Sequence, residues 1–263
     1  MQRNLTDHKN IVVKIGTTSL THPNGKMNLK LFSKLAWVLT DLQNRDYSVI
    51  LVSSGAIAVG ADKLRLDDRP RDILGQQAAS AVGQALLMRM YESFFAEHDQ
   101  TVAQILLTRD CLESAERRQN AKNTMAMLKR LRVIPIVNEN DTVSTAELGF
   151  ADNDSLSAQV AVLTEADLLI MLSDIDGFYD SDPRQNADAK LIGYIEKIDD
   201  RLLKAGGKPT DGLGTGGGSA KITAAQTAAK SGIPTVIASG KDPQILYDIL
   251  DGVNVGTYIC GNF

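Results

Sequence analysis

Short apolar runs alternate along the chain with longer stretches in which apolar residues return every three or four positions. Residues 11–15 read Ile-Val-Val-Lys-Ile, a buried strand interrupted by one lysine. Leu31, Leu35, Val38, Leu39 and Leu42 then keep helical spacing through residues 29–42. Residues 48–52 form the next strand and run into Ser53-Ser54-Gly55, which opens a helix. One or two helices are predicted over 72–97, a strand over 101–107, a helix over 113–131 and a strand over 133–137. A short mixed segment at 141–151 reads as a hairpin. Leu156, Val160 and Leu163 share one face of a helix over 153–166, and a fully apolar strand follows at 168–172. Beyond it lie short strands and loops at 174–205, a segment with seven glycines at 206–218 and a helix over 219–230. A strand at 235–238, a helix at 243–250 and a last strand at 257–260 complete the pattern.

Strands alternating with helices imply βαβ units. The predicted fold is α/β, a three-layer αβα sandwich around an open, mainly parallel central sheet, because continuous apolar strands need cover on both faces. No fixed-period repeat or low-complexity linker divides the chain. One domain is expected over 1–263, with an N-terminal lobe to about 165, a C-terminal lobe over about 166–263 and a seam near 150–170.

Composition narrows the function. Lys and Arg total 28 against 32 for Asp and Glu, a formal net charge of −4, which argues against a nucleic-acid partner. Cys111 and Cys260 have no metal spacing and fit a reducing compartment. Residues 1–10 lack the apolar core of a signal peptide, and no apolar run reaches the ~18 residues of a membrane helix. A cytoplasmic protein is therefore expected.

In doubly wound sheets ligands collect where strands end, and four polar stations sit there. Lys14-Ile15-Gly16-Thr17-Thr18-Ser19 places a lysine in an apolar strand, beside amides and hydroxyls that can face an anion. An edge strand with its lysine in water would look the same. Ser53-Ser54-Gly55-Ala56-Ile57 reads either as an anion site at a helix start or as an ordinary Ser cap. Asn138-Glu139-Asn140-Asp141 and Asp152-Asn153-Asp154 crowd carboxylates and amides on both sides of one connection, more than turns alone require. Gly212–Lys221 exposes consecutive amides and sets Lys221 in the first turn of a helix. A cation is unfavourable there unless an anion joins it.

Other chemistries lack their residues. No Walker-type loop, no dinucleotide fingerprint at the first strand and no protein-kinase motif occurs. His8, His22 and His98 lie outside all four stations, against a Ser-His hydrolase or a His-zinc enzyme. Two lysines beside glycine-rich anion sites suit phosphoryl transfer, with Lys14 and Lys221 clamping the transferred group and Asp154 holding both ammonium groups. A carboxylate acceptor, with a pKa of ~4.3 for Glu, is already ionised and needs no histidine base.

Together these stations resemble the amino-acid kinase family, and within it the branch that phosphorylates glutamate. The resemblance rests on Val12–Thr17, Ser53–Ile57, Val137–Asp141, Asp152–Ala158 and Gly214–Lys221, and on Gln104–Thr108 and Ser181–Arg184. It implies ATP-dependent formation of L-glutamyl 5-phosphate, the first step of proline biosynthesis, with Mg²⁺ on the nucleotide. It implies glutamate held by Ser54, Asp141 and Asn153. It implies ATP held by Lys14, Ser173, Asp174, Thr215, Gly216, Gly217, Gly218, Ser219, Ala220 and Lys221. Lys14, Asp154 and Lys221 would be catalytic. Gly218 and Ala220 stand where the family often has Met and Thr, and Ser173 where Thr is frequent. Many relatives add a C-terminal RNA-binding-like PUA domain, for which this chain has no expected segment. The resemblance further implies inhibition by proline and a dimer or tetramer. Kinases of acetylglutamate, aspartate, carbamate or UMP, and a non-catalytic sensor of the same fold, remain the alternatives.

Overall fold

A computed structural model describes residues 5, 7–22, 24–66, 68–144, 152–180, 188–199, 202 and 218–261. Among them eight strands form one sheet in the order β3-β4-β2-β1-β5-β7-β8-β6. These are β1 (Asn10–Ile15), β2 (Ser48–Ser53), β3 (Val102–Leu107), β4 (Ile134–Glu139), β5 (Leu168–Ser173), β6 (Tyr194–Ile195), β7 (Thr235–Ser239) and β8 (Thr257–Ile259). All pairings are parallel except β7 with β8. The expected open, mainly parallel sheet is thus observed, with its antiparallel pair near one edge.

The apolar runs explain the layering. Successive side chains of a strand face opposite sides. Ile11, Val13 and Ile15 of β1 join one core with α2 (Leu29–Asn44), α4 (Ile73–Ala96) and α9 (Ile245–Leu250). Val12 joins the other core, with α7 (Asn153–Leu163) and α8 (Gly218–Ala229). Lys14 has the parity of Val12, so it points toward α7 and α8. In α2 the predicted stripe Leu31, Leu35, Val38, Leu39 and Leu42 is buried, and the Asn28 side chain caps the helix by accepting from the Leu31 amide.

One helix contact is closer than side chains permit. α3 (Ala56–Lys63) crosses α4 through two glycines. A Cβ at Gly60 would lie 1.7 Å from the Ala79 carbonyl oxygen, and one at Gly83 would lie 1.8 Å from that of Ala56. Backbone therefore rests on backbone, and α4 fixes where α3 begins.

Local signals moved several boundaries. The one or two helices expected over 72–97 are a single helix, α4, started by an Asp72 side chain that accepts from the Gly75 amide at 2.8 Å. The single helix expected over 113–131 is instead α5 (Arg109–Glu113) and α6 (Ala115–Arg130). Ser114, with φ −72° and ψ 119°, breaks the helical run and caps the second piece. α7 stops at Leu163 rather than 166, and α9 starts at Ile245 rather than 243. Of the expected hairpin at 141–151, residues 141–143 form a turn and 145–151 lie outside the described residues. The short helix α1 (Thr17–Leu20), too brief for periodicity to reveal, follows β1 directly.

Candidate active site

The interior strands end together at one edge of the sheet. β1 lies between β2 and β5, and the chain continues from it to β2 on one side and reaches β5 on the other. That reversal opens a crevice at the carboxyl ends, where ligands of such sheets bind. Lys14 is therefore not on an edge strand. It pairs in register with Val52 of β2 and Met171 of β5 and is 6% exposed.

Its partner comes from α7. Asp152 caps that helix by accepting from the Ser155 amide at 2.8 Å, which sets Asp154 in the first turn. Lys14 Nζ lies 2.6 Å from Asp154 Oδ1, and Lys221 Nζ donates to Asp154 Oδ2 at 3.1 Å. Asp154 is 0% and Lys221 5% exposed. Burial alone would push the Asp154 carboxyl up, but Lys14 and then Lys221 outweigh it and hold it below its ordinary value. One carboxylate thus serves two ammonium groups in a nearly dry site, and both ammonium groups suit the charge of an entering phosphoryl group.

Beside this triad lies a cavity of about 170 Å³. Ser54, Asp141 and Asn153 all line it, so the structure brings together residues drawn from two of the stations. Ser54 follows β2, its amide donating to the Ile15 carbonyl at 3.2 Å. Gly55, not Ser54, occupies the cap position of α3, with φ 109° and no side-chain cap, so the ordinary Ser-cap reading fails. The left-handed backbone there favours glycine. Asn153 Nδ2 lies within reach of the Ser54 hydroxyl at 2.8 Å, Asn138 Oδ1 at 2.9 Å and the Ser53 carbonyl at 3.1 Å. Asn138 in turn donates to Gln84 Oε1 at 2.9 Å, so β2, β4, α4 and α7 share one polar chain. Asp141 accepts from the buried Ser80 hydroxyl at 2.6 Å. Burial raises its pKa more than the Ser80 bond and the nearby Arg69 lower it.

On the other side of β1, Ser173 ends β5 and donates to Asp174 Oδ1 at 3.0 Å. The Gly240 amide donates to the Ser173 carbonyl at 2.6 Å, tying the ends of β5 and β7 together. Gly218, Ser219 and Ala220 begin α8, one turn of helix with Lys221. Thr215, Gly216 and Gly217 lie outside the described residues.

Several cavity residues carry no clear sequence signal. Arg69 and Gln76 come from the α3–α4 connection and the start of α4, and both line the cavity. No motif marks them. Asn138, Glu139 and Asp152 line it too, and their dense polar stations could have named them. Thr17 belongs to the Lys14 station and also lines the cavity. Among the described residues no cluster of three or more His, Cys, Asp or Glu could hold a metal ion.

Residues 9–239 match the model of the amino acid kinase family. Glutamate 5-kinase of Clostridium tetani is 50% identical over 255 residues, covering 97% of this chain and 95% of its own length. That of Clostridium perfringens is 48% identical over 261 residues, covering 98% of this chain and 97% of its own. Among solved structures, UMP kinase from Bacillus anthracis superposes with a TM-score of 0.65 at 16% identity over 96% of each chain. Isopentenyl phosphate kinase from T. acidophilum gives 0.64 at 18%, covering 95% of this chain and 99% of its own. These structures share the fold, while their names span different phosphoryl acceptors. With a family match over most of its length and relatives near half identity along it, the chain belongs to the amino acid kinase family.

Proposed function

We infer that this chain is an enzyme transferring the γ-phosphoryl group of ATP to the side-chain carboxylate of L-glutamate. The products are L-glutamyl 5-phosphate and ADP, and the reaction opens proline biosynthesis. The observation that carries the phosphoryl step is the buried Lys14–Asp154–Lys221 triad, in which two ammonium groups share one carboxylate. Relatives near half identity that bear the name glutamate 5-kinase carry the acceptor.

A glutamate carboxylate oxygen forms the new bond to the γ-phosphorus, and the bond from that phosphorus to the bridging oxygen breaks. Its electron pair leaves on ADP. No proton needs removing, because the acceptor is ionised at neutral pH. Asp154 holds Lys14 and Lys221 so that both ammonium groups meet the transferring oxygens, the charge stabilisation this reaction depends on. Asp141 takes the α-ammonium. Ser54 donates its hydroxyl to a substrate carboxylate, and Asn153 offers its carbonyl oxygen while its amide nitrogen serves the Ser53, Ser54 and Asn138 contacts.

ATP lies on the β5 and α8 side, held by Ser173, Asp174 and the segment 215–221, in the lobe over about 166–263. Glutamate occupies the lobe over about 1–165. Mg²⁺ would arrive with the nucleotide and would neutralise charge on its phosphates. Proline, sharing the α-amino acid head group, competes for the glutamate cavity. The working unit is a dimer or tetramer in the cytoplasm, and no helix among the described residues is long and apolar enough to cross a membrane.

The test is ADP release with each candidate acceptor, in the presence of hydroxylamine, which traps acyl phosphates as hydroxamates. L-Glutamate should support ADP release with hydroxamate formed in equal amount. ADP release with UMP, carbamate, aspartate or acetylglutamate but not with glutamate would refute the assignment.

A further inference from the structure

The acceptor cavity is acidic, although its proposed occupant is an acid. Glu139, Asp141 and Asp152 line it, and among the described lining residues Arg69 carries the one positive charge. All three acids have partners within the fold. Asp152 caps α7, Glu139 accepts from the Ser144 hydroxyl at 2.7 Å and Asp141 accepts from the Ser80 hydroxyl at 2.6 Å. Asp141 and Arg69 lie within electrostatic reach of each other and face the same space.

An α-amino acid head group presents an ammonium and a carboxylate on one carbon. A cavity that takes the ammonium at Asp141 must meet the neighbouring carboxylate within a few ångströms. Left beside three acids and no cation, that carboxylate would lose water without replacement. Neither lysine of the triad lines this cavity, and the proposed transfer assigns both to the phosphoryl group. A guanidinium presents paired N–H groups that match a carboxylate, and it stays charged even when half-buried.

We propose that Arg69 binds the α-carboxylate of the acceptor and, paired with Asp141, makes the enzyme select free α-amino acids. This rests on the glutamate reading above and adds a specificity-determining residue to it. The competing role is purely structural, with Arg69 only holding Asp141 in place. The two roles differ in one respect. A structural prop serves every acceptor alike, whereas a carboxylate contact distinguishes acceptors that have the charge from those that lack it.

L-Isoglutamine supplies that contrast, since it keeps the side-chain carboxylate and the α-ammonium but carries an α-carboxamide. kcat and KM are measured for L-glutamate and L-isoglutamine with the wild type, Arg69→Gln and Arg69→Lys, and KM for ATP serves as the control for folding. The wild type should prefer glutamate by about 10- to 100-fold in kcat/KM, the weight of a charged hydrogen bond. Arg69→Gln should raise the glutamate KM by a similar factor and shrink the preference to a few-fold, with kcat and the ATP KM little changed. Arg69→Lys should keep part of the preference. A preference that survives in Arg69→Gln, with both acceptors weakened in parallel, would overturn the proposal and leave the glutamate assignment standing. A wild type that phosphorylates isoglutamine as well as glutamate would overturn it too. Failure of the wild type to phosphorylate glutamate at all would bring down the acceptor assignment, and this proposal with it.

Discussion

Asp154→Asn removes the one carboxylate that Lys14 and Lys221 share. Two ammonium groups then face each other in a site where Asp154 is 0% and Lys221 5% exposed. Since both bind one carboxylate, they sit on the order of 6 Å apart, and in the wild type that carboxylate offsets a repulsion of roughly 3 kcal/mol at an effective dielectric of about 20. Losing the attraction that offsets it puts the cost in the range of about 3–5 kcal/mol found when a buried pair loses one partner. For a chain of this size that is about 6–20 °C in Tm. Lys14→Met is the contrasting variant. It leaves Asp154 paired with Lys221 and should stay within about 1 kcal/mol of the wild type. Both variants should lose turnover by roughly two orders of magnitude, the weight of one oxyanion-type contact.

Thermal unfolding checks this asymmetry. Inorganic phosphate should raise the Tm of Asp154→Asn more than that of the wild type, because an anion can stand in for the lost carboxylate. The acid dependence has a definite sign. The folded-state pKa of Asp154 is depressed. Its stabilising contribution is therefore complete above the unfolded value of ~3.9 and is lost as pH falls through the lower folded value. The gap in Tm between wild type and Asp154→Asn should close over that acid window and not above it. If Lys14→Met proves less stable than Asp154→Asn, or if Asp154→Asn melts with the wild type, the charge argument is wrong.

Two further variants test how the acceptor cavity is built. Asp141→Ala should raise the KM for glutamate by about 10- to 100-fold through loss of a charged contact, with a much smaller effect on the KM for ATP, and steady-state kinetics with each substrate varied would show it. Gly83→Ala should destabilise the fold by about 1–3 kcal/mol through overpacking. The new methyl would meet the Ala56 carbonyl at 1.8 Å and push the start of α3 away from Ser54, so the glutamate KM should rise along with the loss in Tm. Unchanged melting would mean that the two helices do not meet at this glycine.

The sequence by itself determined most elements, because periodicity and caps are local. The stripe of α2, the apolar run of β5 and the Asp72 and Asp152 caps act within a few residues of where they are written. It also showed that the polar stations follow strands, and that two lysines without a histidine favour an acceptor already ionised. Where local signals compete, the reading was less sharp, as at Ser114, whose extended backbone divides one expected helix into two. What only the tertiary structure decided is which of these pieces touch. Strand order makes β1 an interior strand, and that order depends on long-range pairing that no window of sequence contains. It is why Lys14 is buried rather than exposed, and why one carboxylate meets two lysines from opposite halves of the chain. Arg69 is the plainest case. It lies in a connection without periodicity or motif, and its chemistry exists only because α3, held at backbone distance by Gly60 and Gly83, returns the chain to the edge of the cavity.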